Sequence, residues 1–215
     1  MIPLRDTAPR KGFPFLTYFL IGVNVFVFFY MFTLSKGELD FLIQNYALIP
    51  AFVGQGLNLH TFFTSLFLHG SLVHLFGNML FLHIFGDNVE AKLGKLRFLL
   101  FYLVCGVAGC LSQIVLNPSS QIPNLGASGA IAGLMGAYLY FFPKAKVEVL
   151  VPIFIFYRVV KMPAFFMLGY WFLFQALSGL GSLGYANLGG VAYFAHIGGF
   201  LSGFLIAIFC KKRFK

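Results

Sequence analysis

Ser128 and His196 lie in two separate stretches that are otherwise apolar enough for lipid, NLGASGAIAGLMGAYLYFF and GGVAYFAHIGGFLSGFLIAIF. Hydrocarbon tolerates a histidine poorly, so an intramembrane imidazole points first to function. A hydroxyl and an imidazole are the minimum parts of nucleophilic catalysis, provided the helices that carry them pack side by side. Each also has a plainer reading. A serine in a Gly/Ala-rich helix bonds back to a carbonyl, and a buried histidine can close a bond between helices. Both plain readings together require two coincidences.

The neighbouring residues bear on that packing. The serine stretch carries Gly126, Gly129, Gly133 and Gly136, and the histidine stretch carries Gly199 and Gly203, four apart. Such spacing lets helix backbones approach closely. His196 precedes the second pair by three and seven residues, so the closely packing face also bears the imidazole. Ser128 follows Asn124 and Gly126 near a helix N-terminus, where free N–H groups and the positive dipole end favour a developing oxyanion. A third stretch, HGSLVHLFGNMLFLH, puts His74 and Asn78 four apart, on one helical face. Both can donate hydrogen bonds, as an oxyanion hole requires.

A metal site competes for the imidazoles of His69, His74, His83 and His196. HxxxN lacks the second ligand of HExxH, however, and no intramembrane carboxylate stands ready as ligand or base, so neither metal nor cofactor is expected. Asp87 and Glu90 fall at the far end of the second span, which leaves a Ser–His dyad rather than a triad. GASGA also lacks the G-x-S-x-G elbow of soluble hydrolases.

The elements that must position these groups follow from composition. The chain is 60% hydrophobic and 10% charged, with a mean hydropathy of +0.88. That excludes an ordinary soluble domain. With about 20 apolar residues per span, six helices are expected at about 14–34, 70–87, 96–116, 125–142, 163–180 and 189–210, in one domain covering 1–215. The first run is too long for a cleavable leader and has no small-residue cleavage site. Six spans place both termini on one side, together with the connections near 88–95 and 143–162. All of the fifteen Lys and Arg except Lys36 then share that side, which makes it cytoplasmic. A plasma or bacterial inner membrane is the expected location. The net charge of +9 thus follows topology and implies no nucleic acid. Residues 35–69 read as a long loop that dips into the membrane interface. Residues 147–160, broken by Pro152 and Arg158, read as a surface-lying or hairpin segment. Cys105, Cys110 and Cys210 read as small buried hydrophobes rather than a disulfide framework.

These residues resemble the rhomboid intramembrane serine proteases, over essentially the whole chain: HGSLVHLFGN, EAKLGKLRFLLFYLVCG, GASGAIAGLMGA and AHIGGFLSG. The family motifs GxSG, AHxxG and HxxxxHxxxN occur in the family's order. The resemblance implies an all-α core of six membrane helices, a serine endopeptidase, and transmembrane helices of other proteins as substrates. It also implies that Ser128 attacks, that His196 is general base and then acid, and that Asn78, His74 and the Ser128 N–H hold the oxyanion. His69 would brace the first loop. An escort protein of the same fold, binding transmembrane clients without cutting them, is the alternative; such relatives are expected to lose the serine or histidine. The chain departs from the pattern at Ala132, where some rhomboids carry a Tyr that stacks on the catalytic histidine. It departs again at LHTFF, which lacks the Trp-Arg pair often found in the first loop.

Overall fold

Long apolar runs fold as helices because a helix satisfies every backbone N–H and C=O within its own segment, and lipid offers no substitute. A computed structural model describes residues 1–9, 12–153, 156–183 and 190–210, with the side chains of Ile153 and Cys210 excepted. Arg10, Lys11, Lys211, Lys212, Arg213, Lys215 and positions 184–189 lie outside the described residues. The order is β1 (Ile2–Asp6), α1 (Phe15–Thr33), α2 (Lys36–Tyr46), α3 (Pro50–Val53), α4 (Thr61–Thr64) and a 3-10 turn (Ser65–Phe67). Then come α5 (Leu72–Phe81), a π-helical turn (Leu82–Gly86), α6 (Asp87–Leu93), α7 (Lys95–Leu116) and α8 (Ser128–Phe141). β2 (Lys146–Ile153), β3 (Phe156–Pro163), α9 (Ala164–Ser182) and α10 (Tyr193–Cys210) complete it.

Among the described residues, α1, α7 and α9 are long and apolar enough to cross a membrane. The bent pair Thr61–Phe67 and Leu72–Leu93 makes a fourth if it counts as one span, while α8 and α10 are shorter apolar helices. Phe26, Phe32, Phe76, Val104 and Phe166 are more than half exposed, an outward apolar surface suited to lipid. The interior is filled by Phe85, Phe98, Tyr102, Leu134 and Tyr138, all fully buried. Cys105 and Cys110 are free and buried, the first among these residues and the second beside Leu48, Val53 and Leu66.

α7, α8 and α10 meet at backbone contact. A Cβ placed on Gly199 would overlap the carbonyl oxygen of Gly129, one on Gly203 that of Gly133, and one on Gly136 that of Phe200. At Gly109 it would stand 2.6 Å from the carbonyl oxygen of Ala195. Only glycine permits this approach, which brings the first turn of α8 against the first turns of α10.

The fold is not all-α. β1, β2 and β3 form an antiparallel three-stranded sheet in that order. The 147–160 segment is the hairpin, with Val147 and Val149 turned into the core. Its β-branched alternation suits a half-buried strand. Glu148 accepts from Arg5 Nε at 2.6 Å and pairs with Lys161 Nζ at 3.0 Å, so one carboxylate ties all three strands. These two cations, the hydrogen bond from Arg5 foremost, hold the Glu148 carboxyl below its usual range.

The sheet also fixes which ends of the helices coincide. Asp6, at the end of β1, accepts from Tyr138 Oη near the C-terminus of α8, and from Asn88 Nδ2 of α6 at 3.0 Å. The N-terminal strand, the α6 region and the 146–163 hairpin therefore share one end of the bundle. Glu90 works at this end too: its carboxylate accepts from the Leu16 and Thr17 N–H groups at 3.0 and 2.7 Å and from Thr17 Oγ1 at 2.8 Å. It caps α1 from another helix, where free N–H groups would otherwise be stranded.

At the opposite end, residues 35–69 fold as short helices rather than a solvated linker. A capping box between Ser35 and Glu38 starts α2. Ala47, Leu48, Val53, Leu66 and Leu68 are buried. The Leu48 and Asn124 backbones exchange two hydrogen bonds of 2.8–2.9 Å, which docks this region on the chain leading into α8.

Candidate active site

α8 begins at Ser128, and the preceding turn explains why it can. Gly126 has φ +126°, a conformation that L side chains rarely adopt, and its N–H donates to Ser65 O at 2.9 Å. A Cβ at this position would stand 2.8 Å from His74 Nε2 and 3.4 Å from Asn78 Nδ2. Glycine thus lets the backbone just ahead of Ser128 press against both donors. On α5, Ser71 caps the helix by accepting from the His74 N–H at 3.1 Å, which fixes where the His74 and Asn78 face begins.

Ser128 Oγ lies 2.8 Å from His196 Nε2. A hydroxyl can donate there when the imidazole carries its proton on the other nitrogen. Ser128, His196, His74 and Asn78 all line one cavity of about 610 Å³, whose apolar wall includes Phe81, Ile131, Met135 and Trp171. A pocket with an apolar wall and a few convergent polar groups is the usual form of a site for a small segment of substrate. His69 is buried behind this group: its Nε2 lies 2.9 Å from Asn78 Nδ2, and its ring meets that of His74 edge-on at 5.1 Å. It therefore touches both Asn78 and His74. His83 packs beside Tyr18 instead, with ring centroids 5.8 Å apart, and does not line the cavity.

Two neighbours of His196 were not singled out from the sequence. Gln175 of α9 puts Oε1 2.8 Å from His196 Nδ1. Trp171, one turn earlier, lies across the imidazole at 5.8 Å and 32°. The group that meets this nitrogen is a neutral amide from α9. The ring neighbour that Ala132 cannot supply from α8 also comes from α9. The available signals were that Trp171 is the chain's one tryptophan and that Gln175 is the one amide of its helix.

A rhomboid domain model matches residues 57–213. The chain belongs to the rhomboid family and is a membrane protein. It is similar to the mitochondrial Rhomboid protein 1 of Saccharomyces cerevisiae, 32% identical over 203 residues, covering 92% of this chain and 54% of the relative. It is 35% identical to the Rhomboid protease GluP of Bacillus subtilis over 133 residues, 61% of this chain and 25% of that protein. With the mitochondrial RHOMBOID-like protein 6 of Arabidopsis thaliana the figure is 34% over 155 residues, 72% of this chain and 44% of the relative. The chain thus spans about half, or less, of the length of these relatives.

Proposed function

We propose that this chain is an intramembrane serine endopeptidase that cuts transmembrane segments of other membrane proteins. The observation that carries the reading is the 2.8 Å contact between Ser128 Oγ and His196 Nε2 at the wall of a cavity. Ser128 Oγ attacks the scissile carbonyl while His196 Nε2 takes its proton. The oxyanion is held by the Ser128 N–H, Asn78 Nδ2 and the His74 ring, which gather around Gly126. His196 then returns the proton to the departing amine, and water releases the acyl group from Ser128 by the same steps in reverse roles. His69 keeps Asn78 and His74 in place. The glycines at 129, 199 and 203 hold the two reacting helices at this separation, and Gly126 lets the chain ahead of Ser128 press against His74 and Asn78.

Six spans, both termini cytoplasmic and the site opening toward the opposite side complete the proposal. It is supported by the sheet, which gathers the N-terminal strand and the hairpin at one end while Ser128 starts α8 at the other. The membrane is a plasma or bacterial inner membrane, and no metal or cofactor takes part.

Treating the protein in liposomes with a fluorophosphonate, beside Ser128→Ala and His196→Ala, tests the nucleophile. Wild type should label at Ser128 and both variants should not. An unlabelled wild type would leave the non-cutting escort as the better reading.

A further inference from the structure

His196 has two ring nitrogens, and each meets one buried partner. Nε2 faces the Ser128 hydroxyl at 2.8 Å and Nδ1 faces Gln175 Oε1 at 2.8 Å. A neutral imidazole carries one proton, and an amide oxygen can only accept. With Oε1 at Nδ1, the proton sits on Nδ1 and Nε2 keeps the lone pair a general base needs. The opposite amide orientation would select the other tautomer, with the proton on Nε2 and nothing to receive the serine's. Gln175 is 6% exposed, so water cannot readily substitute for its oxygen. Trp171, four residues earlier on the same helix, lies across the ring, so α9 constrains both the face and the edge of the imidazole.

Among the described residues, nothing else charged competes for this role. α8, α9 and α10 contain no Asp, Glu, Lys or Arg, and the Lys95 and Arg97 of α7 lie in its first turn, far from Gly109, which meets Ala195. The other titratable side chain lining the cavity is His74 of α5, with His69 behind it.

We propose that Gln175 is a positioning residue that holds His196 in its Nδ1–H tautomer, a neutral third member beside the serine and histidine. This rests on the Ser128–His196 reading given above. An amide sets the tautomer without a carboxylate in an apolar seam, where a charge is costly. In return it does less than a carboxylate to stabilise the imidazolium formed on proton transfer.

The test is the rate of Ser128 labelling by a fluorophosphonate from about pH 4 to 9, with kcat and KM on a transmembrane reporter, for the full chain and two variants. Gln175→Leu fills the space without the acceptor; its labelling rate and kcat should fall about 10- to 100-fold with KM retained. Gln175→Glu keeps the acceptor and adds a charge that favours the imidazolium. It should label near the wild-type rate at high pH, with the acid limb of its profile moved up by about one unit or more. A merely structural role would not move that limb. Wild-type labelling by Gln175→Leu, or an unmoved acid limb in Gln175→Glu, overturns the proposal. Should Gln175→Leu fail to fold, Gln175→Glu decides alone. A wild type that does not label at all would instead sink the serine reading.

Discussion

Gly199→Ala probes the seam on which the site depends. The added Cβ would overlap the Gly129 carbonyl oxygen, 2.8 Å from its carbon and 3.3 Å from its Cα. Those atoms are backbone, so no flexible side chain can yield. Restoring an ordinary contact of about 3.5 Å requires α10 to retreat from α8 by about 1 Å or more. Gly129 follows Ser128 directly, and His196 lies one turn before Gly199. The retreat therefore falls on the 2.8 Å Ser128–His196 contact and stretches it past hydrogen-bonding range. A misplacement of about 1 Å costs about 100-fold in rate, and overpacking of this kind costs about 1–3 kcal/mol in stability. Labelling rate and thermal unfolding in the same detergent read both effects. Gly22→Ala, whose Cβ meets nothing within 4 Å, is the control and should behave as wild type. If Gly199→Ala labels and melts like wild type, the close seam does not hold the reactive pair together.

Asn78→Ala and His74→Ala should each lower kcat, by about 100- to 1,000-fold if they donate to the oxyanion, with KM nearly unchanged; a change confined to KM would place them in binding instead. Glu90→Ala strands the Leu16 and Thr17 N–H groups and should cost about 1–3 kcal/mol in unfolding measurements; unchanged stability would show that water caps α1 as well. Because its partners lower the Glu148 carboxyl, the stability it adds is present above the unfolded carboxylate's value of about 4.3 and is lost as pH falls through the lower folded value. The melting difference between wild type and Glu148→Gln should therefore persist from neutral to mildly acid pH and vanish in stronger acid; a difference that grows on acidification would contradict the pairing with Arg5 and Lys161.

The legible parts of this site were those written in local spacing. Ser128 among glycines, His196 three and seven residues before a glycine pair, and His74 four before Asn78 each declare a helix face without knowledge of any partner helix. Gln175 and Trp171 could not be read that way. They lie in AFFMLGYWFLFQALSGLG, apolar on every side, and only the packing of α9 against α10 decides which face turns inward. β1 was hidden for a different reason. Five residues, IPLRD, hold no strand signal of their own, and their partner lies over 140 positions away at Leu150 and Val149. The hairpin, whose alternating valines are local, was visible as one of two options. The second span is expected at about 70–87. It runs instead through a π-helical turn to Leu93, where Gly94, at φ +79°, turns the chain into α7.

The central claim is that Ser128 and His196 together hydrolyse a peptide bond inside a membrane. Purified chain reconstituted in liposomes with a single-span reporter protein, its products sized and sequenced by mass spectrometry, tests it directly. The prediction is one cut within or at the edge of the reporter's span, abolished by Ser128→Ala and by His196→Ala while both variants stay folded. Cleavage that survives either substitution, or an intact reporter with every protein folded, would contradict it.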